Sequence, residues 1–305
     1  MLIAIDHGNK QMKTVHCEPF VSGIQESTTK PFGKNVLKYQ DKFYTLSNQR
    51  IPYKRDKTED ERFFVLTLFG IAGEILKRNC CEEEAMRIQL AVGLPPAHYG
   101  AQHRAFVKYF SERGVVSFDY RGNNYAIYID DVKCYPQAYA AAVTRLKELI
   151  GYPRVLIVDI GGFTADYLLM RNGECDLSVC DSLENGVIVL YNRIRTKVNS
   201  EFNVLLEEAD IDAILKGQGE AYSPVISSLV MRLAQDFVID LFSSLRERML
   251  DVSAGVVVFV GGGAILLRNQ IEVSRKVGKA IFIEDINANA KGYEFLYFSE
   301  SMSRW

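Results

Sequence analysis

Proline, tryptophan and histidine are scarce in this chain, charge of either sign is not in excess, and no cysteine pair has CxxC spacing. Eight prolines among 305 residues, with 48% apolar and 24% charged, make an ordinary globular composition and exclude a collagen-like or largely disordered chain. Lysine and arginine total 36 against 38 acidic residues, a net charge of −2, so no global positive field exists to coat nucleic acid. The longest uncharged apolar run, residues 255–267, is too short for a bilayer and is broken by four glycines, so no membrane span is expected. Cys17, Cys80, Cys81, Cys134, Cys175 and Cys180 are scattered, which reads as buried reduced thiols rather than zinc ligands or disulfides. His7, His16, His98 and His103 lack metal-ligand spacing, and His7 sits beside a turn where its backbone suffices. The opening MLIAIDHG has an aspartate and no basic stretch, so it does not read as a secretory signal, and a cytoplasmic location is expected.

What is present is a patterned α/β chain, long enough for two domains. Residues 2–5 form a buried apolar run, and after the turn HGNKQ, residues 12–17 alternate as a returning strand does. A second hairpin turns at Gln40-Asp41, and Thr58 to Glu61 reads as a capping box opening a long helix whose stripe is Phe64, Leu68, Ile71 and Ile75. Residues 52–62, PYKRDKTEDER, mix both signs and read as a solvated loop and helix start. The cluster Glu82-Glu83-Glu84 reads as a surface turn. Residues 87–93 form a strand ending in GLPP, a helix follows to about Phe110, and a hairpin turns at Gly122-Asn123. Pro136 then suits the first turn of a helix over 138–150. In the second half, helices are expected at 186–198, 206–215 and from Ser223-Pro224 toward Met249. The apolar strand 256–260 enters three glycines, with a helix behind them over 264–271. Strand 280–283 and a last helix, capped by Asn287 or Asn289, close the chain.

The most informative feature is an echo. LIAIDHGNKQMKTV and VLIVDIGGFTADYLLM each run four apolar residues into an aspartate, Asp6 or Asp159, with a glycine two positions on, Gly8 or Gly161. Glycines in a tight turn allow backbone amides to converge on one anion, and an aspartate at each strand end suits hydrated magnesium, which keeps its waters and takes few carboxylates. Lys13 adds a point charge for phosphate oxygens. Either copy alone is common turn chemistry; it is the pair that points to a polyphosphate gripped from two sides. Gly261, Gly262 and Gly263 offer a flat backbone surface for a base and ribose, or simply close helix packing.

In order, Asp6-His7-Gly8-Asn9, residues 132–140 (VKCYPQAYA), residues 159–166 (DIGGFTAD) and Gly261-Gly262-Gly263 resemble the signature of the actin, sugar-kinase and heat-shock chaperone superfamily. The short length, GLPP, the Pro-Gln pair and the ending NANAKGY at 287–293 are similar to the ParM-type bacterial actins that segregate plasmids. The resemblance implies an α/β fold of two RNase H-like (actin-like ATPase) domains with a nucleotide cleft between them. Domain I would be 1–150, with a small insertion at about 30–60 that makes filament contacts and the last helix, 285–305, packed back on it; domain II would be 151–284. ATP or GTP with Mg2+ would be bound by Asp6, Gly8, Asn9, Lys13, Gly161, Gly162, Thr164, Gly261, Gly262 and Gly263, with Asp6 and Asp159 on the metal side. Asn9 stands where a serine or threonine is usual, turning a hydroxyl contact into an amide contact. Gln137 falls where actin-like proteins place the residue that orients the attacking water, glutamine in actin and glutamate in ParM, and Gln137 with Asp159 would be the catalytic pair.

Three functions are weighed. The first is a filament-forming ATPase or GTPase that moves DNA through a centromere-binding adaptor, with itself as partner and no direct nucleic-acid contact. The second is a small-molecule kinase of the same superfamily, which needs a general base; no residue stands out for it, since Asp166 is available by type but its place in the returning strand fits the second phosphate segment, 159–166, without that role. The third is a non-motile nucleotide-binding cytoskeletal scaffold.

Overall fold

The computed structural model describes residues 1–79 and 85–302; Cys80, Cys81 and the Glu82-Glu83-Glu84 cluster lie outside the described residues. The chain divides into two compact units, one of residues 1–144 with the segment from Asn287 onward, the other Arg145–Ile286. Each unit is built on one sheet.

The first unit holds nine strands: β1 (Leu2–His7), β2 (Gln11–Thr14), β3 (Phe20–Val21), β4 (Ile24–Ser27), β5 (Val36–Tyr39), β6 (Lys42–Leu46), β7 (Met86–Leu94), β8 (Val115–Tyr120) and β9 (Asn123–Pro136). Their order is β3-β2-β1-β7-β9-β8-β5-β6-β4. β1 pairs antiparallel with β2 and parallel with β7, and β7 runs parallel to β9. Every residue of β1 is buried, which is why the strand reads as a continuous apolar run rather than an alternation. The second unit repeats the plan with β10 (Arg154–Ile160), β11 (Ala165–Arg171), β12 (Glu174–Leu183), β13 (Val256–Val260) and β14 (Lys279–Phe282), in the order β12-β11-β10-β13-β14. Here β10 pairs antiparallel with β11 and parallel with β13. The echo in the sequence is therefore an echo in topology: a central strand, a hairpin return on one side and a parallel strand on the other.

Several local expectations shift. The long helix is Glu61–Lys77, capped by the Asp60 carboxylate on the Arg62 amide at 3.1 Å, while Thr58 belongs to a preceding 3-10 turn capped by Asp56. Its expected stripe is buried, but so are Phe63, Val65, Leu66 and Phe69, so the helix is enclosed nearly all round. The hairpin between β8 and β9 turns at Arg121-Gly122, both with positive φ, one residue before the expected pair. Pro136 ends β9 instead of opening a helix, and 138–150 splits into two short helices, Tyr139–Val143 and Leu146–Leu149, the second of which belongs to the other unit. Among the described cysteines Cys134 is buried, whereas Cys17, Cys175 and Cys180 are only half-buried; all four are unbridged.

The C-terminal helix Ala288–Met302 packs on the first unit. A Cβ on Gly292 would stand 1.9 Å from the Ala140 carbonyl oxygen, so glycine there lets two backbones touch. Tyr293 is fully buried against Gly93, where a Cβ would lie 2.2 Å from its ring. Among the described residues no helix is long and apolar enough to cross a membrane.

Candidate functional site

In the first unit, β1 delivers Asp6 to its C-terminal end and β2 returns Lys13 directly opposite it. Asp6 is buried, with Lys13 Nζ 3.4 Å from Oδ2. Gln137, 131 residues further along the chain, places Nε2 2.9 Å from the other oxygen, Oδ1. A carboxylate only accepts, so the amide nitrogen must face Asp6, and the amide oxygen is turned to the opposite end of the group. The parallel ladder β1-β7-β9 makes this meeting possible: β9 carries the chain past the end of β7, and the Gln137 amide donates to the Leu94 carbonyl at 2.8 Å.

The backbone beside Gln137 is strained. Ala138 adopts φ +63°, ψ −54°, and the Tyr139 amide donates to the Gln137 carbonyl at 2.6 Å, a γ-turn that a residue with a Cβ rarely makes. Asn289, in the first turn of the C-terminal helix, accepts the Ala138 amide on Oδ1 at 3.0 Å. Its side chain therefore ties the C-terminal helix to this turn.

The turn after Asp6 excludes side chains as expected: a Cβ on Gly8 would lie 2.5 Å from the Gln11 carbonyl oxygen. Asn9 and Lys13 are half-buried beside it. His7 does more than lend its backbone. Its ring is fully buried, packed on Phe106 and Phe110, with Nε2 2.8 Å from the Thr67 hydroxyl. Burial, and then the charge of Lys57, push its pKa down to about 3, so it stays neutral.

Lys57 is the largest departure from expectation. Instead of lying in a solvated charge run it is buried, and its ammonium donates to the His7 carbonyl, inside the turn. Ser22, also buried, donates its hydroxyl to the Gly8 carbonyl at 2.5 Å and its amide to the Lys10 carbonyl at 3.1 Å. Nothing local in the sequence marks Ser22. The signal that could have found Lys57 is the unbroken apolar run Phe63-Phe64-Val65-Leu66 that follows it, which marks a helix buried on more than one side.

In the second unit, β10 carries Asp159 one residue before its end and β11 returns Asp166 opposite it. Asp159 is buried, and a Cβ on Gly261 would stand 2.2 Å from its Oδ1. Gly261, with φ +89°, thus makes the space that seats this carboxylate. The turn from Gly161 to Thr164 closes through the Gly161 amide on the Thr164 carbonyl at 2.8 Å. Its outer carbonyls are taken by the start of helix Val187–Phe202: Gly186 donates to Phe163, Val187 to Gly161 and Ile188 to Gly162, at 3.0, 3.1 and 2.9 Å. Gly186 packs against that turn, its Cβ position 2.3 Å from the Gly162 carbonyl oxygen, a role unmarked in the sequence. Thr164 donates to Asp166 Oδ2 at 3.3 Å, and Ser182 donates to the other oxygen, so Asp166 is tied within the sheet. Gly261, Gly262 and Gly263 form the first turn of a helix, Gly261–Leu266, rather than a loop before one at 264. A Cβ on Gly262 would meet nothing within 4 Å, so that backbone faces open space.

The donor chemistry suits magnesium. Among the described residues no cluster of three or more His, Cys, Asp or Glu side chains could cage a metal ion. Instead each unit carries one buried carboxylate at the end of its central strand, beside a turn that contains glycine. Magnesium keeps several waters and takes one or two carboxylates, so it fits such sites better than an ion that needs a full protein cage. Both Asp6 oxygens are already hydrogen-bonded, which favours contact through water there.

Comparison with known proteins supplies the family. Residues 4–139 match the family model for the actin like proteins N terminal domain, and residues 157–273 that for the archaeal actin homologue MreB-like, C-terminal. A search of curated protein sequences found no match. Among solved structures, the archaeal actin homolog Ta0583 in complex with ADP is 18% identical over 98% of this chain and 99% of its own, with a TM-score of 0.73. The ParM of a 15-stranded filament from Clostridium botulinum is 17% identical over 98% and 99%, with a TM-score of 0.75. The apo psk41 ParM protein is 16% identical over 100% and 99%, with a TM-score of 0.73. At these identities the likeness is one of fold, and together with the two family models, which account for both halves of the sequence, it places the chain among the actin-like proteins.

Proposed function

We propose that this chain is an actin-like ATPase that polymerises when it binds ATP or GTP and whose hydrolysis destabilises the polymer. The observation that supports the reading is the meeting of Asp6 and Lys13, read from the residues as metal and phosphate groups, with Gln137, which the family resemblance gives as the water-orienting residue. A glutamine cannot take a proton at neutral pH. With its nitrogen on Asp6, its oxygen can accept a hydrogen from a water and aim that water's lone pair, which is positioning rather than general base catalysis and implies slow turnover. Gly8 and Asn9 would bind phosphate oxygens from the first unit, Gly161, Gly162 and Thr164 from the second, with Gly261 to Gly263 beside the base and ribose. Asp6 and Asp159 would hold magnesium, which when bound offsets charge on the phosphates. The ADP complex of the archaeal homologue and the filament of the clostridial ParM support nucleotide binding and self-assembly as the shared theme. DNA cargo, reached through a centromere-binding adaptor, agrees with a chain of net charge −2.

The kinase reading draws less support, because Asp166 is buried and bonded to Thr164 and Ser182 instead of being poised as a base. Sedimentation and light scattering with ATP, GTP, ADP and no nucleotide, alongside phosphate release, test the proposal. Polymer that forms with triphosphate and decays as phosphate appears is the expected result. Phosphate transfer to a metabolite with no polymer would overturn it.

A further inference from the structure

The two turns share a device that differs in its chemistry. In the second unit the carbonyls of Gly161, Gly162 and Phe163 are held from outside by the first amides of a long helix. The first turn is held by side chains. There the carbonyls of His7, Gly8 and Lys10 are held by Lys57 and Ser22, both buried. Lys57 is the only lysine or arginine among the described residues that is buried, so a cation has been drawn out of water beside this turn, with its ammonium on the His7 carbonyl.

The peptide unit explains what the contact achieves. The His7 carbonyl and the Gly8 amide belong to one peptide, as do the Gly8 carbonyl and the Asn9 amide. A donor on the carbonyl polarises that peptide and strengthens its N–H as a donor, and it keeps the carbonyl dipole from turning toward an anion. We propose that Ser22 and Lys57 are positioning residues of the first phosphate turn, and that Lys57, by adding a fixed positive charge there, sets the preference for a nucleoside triphosphate over a diphosphate. The inference rests on reading the Asp6 turn as a phosphate site, and it goes beyond that reading by naming which side chains organise the turn and what selectivity they confer.

Calorimetric titration of Mg·ATP and Mg·ADP into the whole chain tests it, with wild type, Lys57→Met, Lys57→Arg, Ser22→Ala and Ser22→Thr compared. Wild type should bind both nucleotides. Lys57→Met should weaken ATP by about tenfold or more and ADP by a clearly smaller factor, while Lys57→Arg restores the ratio. Ser22→Ala should weaken both nucleotides severalfold, with recovery in Ser22→Thr. A residue that merely supported the fold would lower the unfolding temperature and leave the ATP-to-ADP ratio alone. An unchanged ratio in Lys57→Met, with wild type binding both, overturns the role of Lys57. Unchanged affinities in Ser22→Ala, which removes one hydroxyl and little volume, overturn the positioning of the carbonyls even if Lys57→Met does not fold. Absence of binding in wild type would instead overturn the phosphate site itself.

Discussion

Gln137 turns its nitrogen to Asp6, and that orientation settles which chemistry the other end of the amide can perform. Gln137→Ala should lower phosphate release by roughly a hundredfold while nucleotide affinity stays near wild type, measured by single-turnover hydrolysis beside calorimetry. Unchanged turnover would remove Gln137 from the reaction. Asp159→Ala should abolish the magnesium dependence of hydrolysis, since the proposal gives this buried carboxylate at the end of the central strand to the metal. His7 yields a pH prediction. Its folded pKa lies at about 3 against the 6.5 of a free imidazole, so between those values the unfolded chain binds the extra proton and stability rises with pH. The contribution is complete above about 6.5 and is lost on acidification at about 1.4 kcal/mol per pH unit. Urea unfolding between pH 7 and 4.5 should show that slope in wild type and a flatter one in His7→Gln. Equal slopes would contradict the buried neutral imidazole.

At the scale of elements, the segment after β9 and the C-terminal helix act as one. The γ-turn at Ala138 stores strain, and Asn289 holds it in place by accepting the Ala138 amide. Asn289→Ala leaves that buried amide without its acceptor and should cost about 1–3 kcal/mol of stability, with a fall in phosphate release because Gln137 is one residue away. Asn289→Asp keeps an acceptor and should recover most of both. Full hydrolysis in a destabilised Asn289→Ala protein would separate the turn from the chemistry. The expectation of one helix over 138–150 failed here for a tertiary reason. Local propensity favours a helix through the alanines, but parallel pairing with β7 extends β9 to Pro136, and the chain must then reverse within two residues.

For the whole molecule, the proposed polymer needs a contact surface as well as the two turns. Phe32 is fully exposed in the insertion, close in sequence to Lys30 and Lys34, which line a groove of about 740 Å³ with Lys38 and Arg121. An exposed aromatic is an efficient contact for a second copy of the chain. Phe32→Asp should raise the concentration needed for sedimentable polymer by about tenfold, with nucleotide affinity unchanged. Assembly at the wild-type threshold would exclude this residue from the polymer contact.

The linear sequence determined the repeated hairpins, the apolar central strands and the glycines that narrow each turn, because each of these depends on neighbours a few residues away. It also placed Asp6, Lys13 and Gln137 in one site, though only through a resemblance, since 131 residues separate Asp6 from Gln137. The tertiary structure decided the rest. Whether Lys57 is solvated or buried, whether Ser22 faces water or a turn carbonyl, and which distant segment Asn289 holds are questions about what packs alongside. Hydrogen bonds between distant segments are selected by the burial of whole elements, and a serine or lysine has the same local preferences whether or not such a partner arrives.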